Sequence, residues 1–255
     1  MVIGFDKFID KFQGFADNYV VIGGCACDWL FSHRDARFRA TKDIDLVICT
    51  EEMTASFASA MWDFIKTAGY DAYERKDSRK CFYRFLNPKV DGYPFMLEFF
   101  ARAPLEFPLA ANTVIAPIPV DDESISSLSG ILLDENYYAF IRQFRRAVDG
   151  ACVLSAEALL ILKARAWMDL LARKTRGEFV KDKDLAKHRK DVFRLQSLIP
   201  IDNPTILSAP LYEDFQDFLL AIRNDPVDPR SLGLSDTFEE AISKLTEMFK
   251  LDISG

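Results

Sequence analysis

The chain has 255 residues, of which 49% are hydrophobic, so it is long enough to bury one large core or two smaller ones. Its formal net charge of −7 argues against a general nucleic-acid-binding protein, which would usually be basic. No apolar run reaches about 18 residues, and no basic stretch followed by an apolar run opens the chain. We therefore expect neither a membrane-spanning helix nor a secretion signal.

The cysteines point to a reducing compartment. There are five, an odd number, and their spacing does not suggest a disulfide framework. We therefore expect thiols and a cytoplasmic protein.

The first hundred residues alternate between helical and extended patterns. Residues 4–17 place Phe5, Phe8 and Phe12 at helical spacing, which predicts an amphipathic helix. An apolar strand over 19–22 follows and ends in a glycine pair, after which residues 24–33 are predicted to be helical. A basic connection over 34–42 then leads to a second apolar strand over 43–49.

Two acids on that second strand are the most informative residues of the chain. Side chains alternate faces along a strand, so Asp43 and Asp45 point the same way. Two carboxylates on one face repel each other unless a cation lies between them, and hard oxygen ligands of this kind suit Mg²⁺. Gly23 and Gly24 let a phosphate approach the backbone at a helix start, where free N–H groups favour anions. Adjacent metal and phosphate sites indicate chemistry on a nucleoside triphosphate.

The remaining segments complete the predicted architecture. Residues 50–67 are predicted to be helical, 80–101 to form a hairpin and 113–119 to add a strand. Helices are predicted over 134–148, 156–173 and 182–197, with two more in the tail. We therefore predict an α+β fold, a mixed sheet flanked by helices and followed by a helical part. The predicted domains are a catalytic core over 1–125 and a mainly helical domain over 126–255.

A third acid, Glu98, lies in the predicted hairpin between large apolar residues. A buried carboxylate without a partner is costly, so this position needs an explanation. One explanation is a role as metal ligand or general base, and the other is an ion pair with Arg84 on the preceding strand.

These motifs resemble those of the nucleotidyltransferase superfamily, which has the polymerase-β-like fold. The resemblance rests on Ile22-Gly23-Gly24, on Asp43-Ile44-Asp45-Leu46 and on the later Glu98. The amino-acid sequence around these motifs is similar to that of abortive-infection nucleotidyltransferase toxins, over Gly23 to Ala26 and Arg39 to Leu46. Those proteins also carry a Lys in a helix after the sheet and a later Lys-Asp pair.

The resemblance implies a role for each matching residue. It implies that Asp43, Asp45 and Glu98 are catalytic and that they bind two Mg²⁺ ions. The implied nucleotide-binding residues are Gly23, Gly24, Arg39, Lys163, Lys190 and Asp191. The last three have an alternative, as ordinary charges on the surface of a helix. Arg194 stands where the family tends to place another acid, so the last motif is only partly met.

The implied function is a metal-dependent nucleotidyltransferase that moves a nucleoside monophosphate from an NTP such as ATP to a hydroxyl. The toxin-like text implies a macromolecular acceptor, a tRNA end or a protein, and an antitoxin partner. The basic segment 173–194 fits contact with an RNA backbone, whereas the acidic net charge favours a small molecule or protein. The alternatives are a small-molecule adenylyltransferase and a non-catalytic member of the fold that binds a nucleotide or a partner.

Overall fold

The computed structural model describes residues 1–77, 80–102, 115–117, 131 and 134–252. The chain divides into two compact units. The first comprises residues 1–133 and 141–155, and the second comprises residues 134–140 and 156–255. The predicted domain boundary between residues 125 and 126 lies outside the described residues.

A mixed sheet forms the centre of the first unit. Its described strands are β1 (Tyr19–Ile22), β2 (Asp43–Ile48), β3 (Asp71–Asp77), β4 (Lys80–Leu86), β5 (Met96–Ala101), β6 (Ile115–Pro117), β7 (Arg145–Val148) and β8 (Ala151–Leu154). They are ordered β6-β3-β4-β5-β2-β1-β8-β7. The β2–β5 pair is parallel, whereas β1–β2 and β4–β5 are antiparallel. The predicted α+β fold with a mixed sheet is confirmed.

Three helices of the first unit flank the sheet: α1 (Phe5–Phe12), α2 (Gly23–Ser32) and α3 (Ala55–Ala68). The predicted aromatic stripe of α1 is buried, and Phe8 meets Tyr19 of β1 edge-on at 5.3 Å between ring centroids. Phe12 meets Phe57 of α3 at 5.9 Å. These rings pack α1 against β1 and against α3.

The prediction of a helix over 134–148 is wrong at its end. Helix α4 spans Glu135–Gln143, and the chain then forms the antiparallel β7–β8 hairpin. The cause is the two-residue turn at Asp149 and Gly150, both at positive φ, because an Asp-Gly pair between extended segments favours this hairpin turn. Strand β8 pairs in parallel with β1 and so extends the sheet.

The second unit is helical apart from its loops and turns. Its longer helices are α5 (Ala156–Thr175), α6 (Asp182–Gln196), α7 (Ala209–Ala221) and α8 (Phe238–Met248). Trp167 of α5 meets Phe218 of α7 edge-on at 5.5 Å. Thr237 and Glu240 form a capping box that fixes the start of α8.

Within the described part of the chain, we find no helix that is both long and apolar enough to cross a membrane. Of the described cysteines, Cys25, Cys27, Cys49 and Cys152 are buried and form no disulfide.

Candidate active site

Three charged side chains form one row across neighbouring strands of the first unit. On β2, Asp45 lies directly opposite Glu98 of β5, and Glu98 lies directly opposite Arg84 of β4. Directly opposite residues share a face of the sheet, so all three side chains project to the same side. Asp43 lies two residues before Asp45 on β2 and shares this face by alternation. The fold thus brings the three predicted acids to one face.

Glu98 is buried within this row, with 8% of its surface exposed. Its Oε1 accepts hydrogen bonds from Arg84 Nε at 2.8 Å and from Arg84 Nη2 at 2.6 Å. The ion pair with Arg84, one of the two explanations considered for this acid, is therefore present. Glu98 also faces Asp45, the second acid of the row.

The pKa of Glu98 is well above its usual range. Burial is the largest cause, and the negative charge of Asp45 acts in the same direction. A hydrogen bond between the Glu98 and Asp45 carboxyl groups raises the pKa further, whereas the Arg84 guanidinium lowers it. A carboxylate with a raised pKa is a stronger base than an exposed one, so Glu98 is suited to accept a proton from a nearby hydroxyl.

The backbone of Gly23 lies against the acid pair at the start of α2. Gly23 has a φ of 67°, and a Cβ added there would lie 1.9 Å from Asp45 Oδ2. Any larger residue would displace the Asp45 carboxylate, so this position requires glycine for both its conformation and its space. The first N–H groups of α2 have no partner within the helix, and they lie beside Asp45.

Gly24 opens the same helix beside two side chains of the basic connection. A Cβ added there would lie 2.9 Å from Thr41 Oγ1 and 3.5 Å from Arg39 Nη2. Arg39 Nη2 therefore lies near the start of α2, and its role as a nucleotide ligand stays a prediction. Thr41 is not among the predicted site residues. Its position just before Lys42 and Asp43 in the sequence could have indicated that it lies near the site.

The donor set fits a cation that takes only part of its coordination from protein. Within the described ranges, no group of three or more His, Cys, Asp or Glu side chains is arranged to hold a metal ion. Asp45 and Glu98 nevertheless face each other across β2 and β5, and a divalent cation would compensate their negative charges. Mg²⁺ is commonly held by one or two carboxylates plus phosphate oxygens and waters, so these residues fit it.

The remaining predicted residues lie in the second unit, where α5 and α6 pack together. Lys163 is only 6% exposed, and its Nζ lies 3.5 Å from Oδ2 of the fully buried Asp191. Arg194 Nη1 lies 3.3 Å from Asp191 Oδ1. The alternative that placed Lys163 and Asp191 on a solvated surface is therefore wrong, whereas Lys190 is half-buried on α6. Their role as nucleotide ligands stays a prediction.

The two basic segments noted in the sequence differ in how their charges are compensated. In the segment 173–194, Arg173 and Arg176 both pair with Glu178, and Lys174 pairs with Asp182. In the connection 34–42, three exposed cations form no ion pair with a carboxylate among the described residues: Arg34, Arg37 and Lys42. Lys42 also lies over the Phe95 ring, with its Nζ 3.9 Å from the ring centroid.

The chain has a structural likeness to a solved protein. A solved structure, described as that of an antigenic nucleotidyltransferase-like protein from Paracoccidioides brasiliensis, aligns over 96% of this chain and 95% of its own. The TM-score is 0.45 and the sequence identity is 14%. No protein-family model matches the chain, and no curated protein matches it significantly.

Proposed function

We propose that this chain is a Mg²⁺-dependent nucleotidyltransferase. It transfers a nucleoside monophosphate from an NTP to an acceptor hydroxyl and releases pyrophosphate. The observation that supports this proposal best is the contact between three parts of one site. Asp45 faces Glu98 across β2 and β5, and the glycine that opens α2 lies directly against the Asp45 carboxylate.

Each residue then has a defined task. The N–H groups of Gly23 and Gly24 bind the phosphates, because they are unpaired helix donors at the positive end of a helix dipole. Arg39 neutralises phosphate charge beside Gly24. Asp43 and Asp45 hold the cation. The cation, when bound, neutralises the charge that develops on the transferred phosphoryl group.

Glu98 moves the proton in this scheme. The acceptor hydroxyl must lose its proton as its oxygen bonds to phosphorus, and the group that takes it must lie within hydrogen-bond reach. Glu98 faces Asp45, and its pKa is raised mainly by burial, so once deprotonated it is a stronger base than an exposed carboxylate. Arg84 holds Glu98 in this orientation through two hydrogen bonds.

For the acceptor, we propose a macromolecule, a tRNA end or a protein, as in the toxins that the sequence resembles. Arg34 and Arg37 support an anionic acceptor, because both are exposed and form no ion pair with a carboxylate among the described residues. Toxin activity and an antitoxin partner belong to the same proposal. Growth arrest on expression of the unmodified chain, but not of an Asp45→Asn variant, would support them.

The first experiment is incubation with each α-³²P-labelled NTP and Mg²⁺, with total tRNA, with cell protein and with no acceptor. The variants are Asp45→Asn and Glu98→Gln. The matched control is Asp63→Asn, which changes an exposed carboxylate on α3 that pairs with Lys11. We expect label transfer by the unmodified chain and the control, and none after chelation until Mg²⁺ is restored.

Other outcomes discriminate between the alternatives. Mg²⁺-dependent nucleotide binding without transfer to any macromolecule would favour a small-molecule acceptor or a non-catalytic binding protein. Transfer that Asp45→Asn leaves intact would overturn the site, and so would the absence of nucleotide binding.

A further inference from the structure

Arg84, at the edge of the candidate cation site, makes two hydrogen bonds to the same carboxylate. It lies directly opposite Glu98, and both its Nε and its Nη2 donate to the same oxygen, Glu98 Oε1. The two side chains are 15% and 11% exposed, respectively. A charge-assisted contact so well shielded from water is stronger than a surface ion pair and harder to displace.

The contact with Arg84 occupies carboxylate lone pairs of Glu98 that could otherwise coordinate a cation. Sites that hold two divalent cations place them about 3.5–4 Å apart and clamp the attacking and leaving oxygens between them. An ionised carboxylate offers about four lone-pair sites for such contacts. At Glu98, Arg84 takes two of these at Oε1, and the rest of the carboxyl group is shared with Asp45.

We propose that Arg84 replaces the second cation, so that the site binds one divalent cation per chain rather than the two that the sequence implied. The single cation is held by the Asp43–Asp45 side of the row, and the guanidinium supplies the compensating positive charge at Glu98. Arg84 is in this sense a positioning residue. The inference rests on the proposed function, because it concerns the cation of that same site.

A purely structural ion pair would make a different prediction. It would stabilise the β4–β5 contact and leave the number of bound cations unchanged when Arg84 is replaced. Cation stoichiometry therefore separates the two roles, whereas loss of activity alone would not.

The test counts Mn²⁺ bound to the full chain by electron paramagnetic resonance, in the presence of a saturating NTP analogue with a non-hydrolysable α,β-methylene bridge. We expect one Mn²⁺ per chain for the unmodified protein and two for Arg84→Met, in which Glu98 is released. Arg84→Lys keeps the positive charge and should still bind one. Arg142→Met removes an arginine that pairs with Glu52 in the same unit, and it should also bind one.

Each result bears on the inference. Two Mn²⁺ in the unmodified chain would overturn it, a count that needs no variant to fold. One Mn²⁺ in a folded Arg84→Met chain, checked by circular dichroism, would show that Arg84 does not set the number. Labelled nucleotide transfer with two bound Mn²⁺ would leave the proposed function standing and remove only this inference. No Mn²⁺ binding together with no transfer would remove both.

Discussion

Glu98 in the first unit and Asp191 in the second are both buried carboxylates, and they have different charged neighbours. Asp191 contacts two cations, Lys163 and Arg194, whereas Glu98 contacts one guanidinium, that of Arg84, and faces a second carboxylate, that of Asp45. A carboxylate between two cations has its charge compensated within the fold. A carboxylate beside another acid is strained until a proton or a cation arrives. The comparison separates a buried charge that stabilises the fold from one that is kept for a ligand.

The largest effect is expected at Asp191. Asp191→Ala leaves Lys163 and Arg194 without their shared carboxylate, and breaking a buried pair by removing one partner costs about 3–5 kcal/mol. Urea unfolding would measure the loss. Asp217→Ala, an exposed acid on α7 of the same unit, is the control and should change stability by less than about 0.5 kcal/mol. Equal losses in both variants would show that Asp191 does not anchor its unit.

The next effect is expected at the glycine that touches the acid row. Gly23→Ala puts a Cβ 1.9 Å from Asp45 Oδ2 on a backbone at φ 67°, so it should destabilise the chain by about 1–3 kcal/mol and abolish transfer. Gly14→Ala is matched to it, because a Cβ at Gly14 meets no heavy atom within 4 Å. Urea unfolding and label transfer would be measured for both. An active Gly23→Ala chain would mean that Asp45 need not stay where the fold holds it.

The sequence predicts those parts of the fold that depend on residues close together along the chain, and it predicts poorly those that depend on distant residues. The β1–α2–β2 unit was readable because apolar runs and glycines act within a few residues. The hairpin at Asp149 and Gly150 carried an equally local signal, and it was overlooked because the preceding helical spacing runs on into it. Strand β3 was not predicted, because its mostly charged residues become a strand only by pairing with β4.

The candidate site shows the same limit. Alternation along one strand placed Asp43 and Asp45 on one face, and the predicted hairpin allowed Arg84 to be considered as a partner of Glu98. The parallel register of β2 and β5, which puts Asp45 opposite Glu98, depends on residues about fifty positions apart. The burial of Lys163 depends likewise on how α5 packs against α6, which the spacing within α5 does not determine.

A smaller effect, of opposite sign to that at Asp191, is expected at Asp45. Its negative charge is among the causes that raise the pKa of Glu98, after burial, so Asp45→Asn should relieve repulsion in the metal-free chain. We expect a gain of about 1 kcal/mol in the free energy of unfolding, as is common when a functional residue is neutralised. Urea unfolding in the presence of a chelator measures it. A loss of stability would mean that the acid row is balanced without a cation.

The smallest effect on stability is expected at the exposed ion pair between His33 and Asp149, in contrast to the buried carboxylates. The hydrogen bond to the Trp29 carbonyl, opposed by partial burial and aided by Asp149, raises the pKa of His33 above its ordinary 6.5. A raised pKa means that the folded state binds the proton more tightly than the unfolded state. The stabilisation is therefore complete below pH 6.5 and is lost as the pH rises through the folded-state value. Because the His33 and Asp149 side chains are 30% and 74% exposed, solvent screening limits this stabilisation to about 0.5 kcal/mol or less.

Unfolding at pH 5.5 and pH 8.5, compared between the unmodified chain and His33→Gln, isolates the contribution of His33 from that of Glu98, since Glu98 is present in both. A difference between the two chains that is as large at pH 8.5 as at pH 5.5 would assign the role of His33 to packing against Trp29, whose ring lies 4.5 Å away, rather than to its charge.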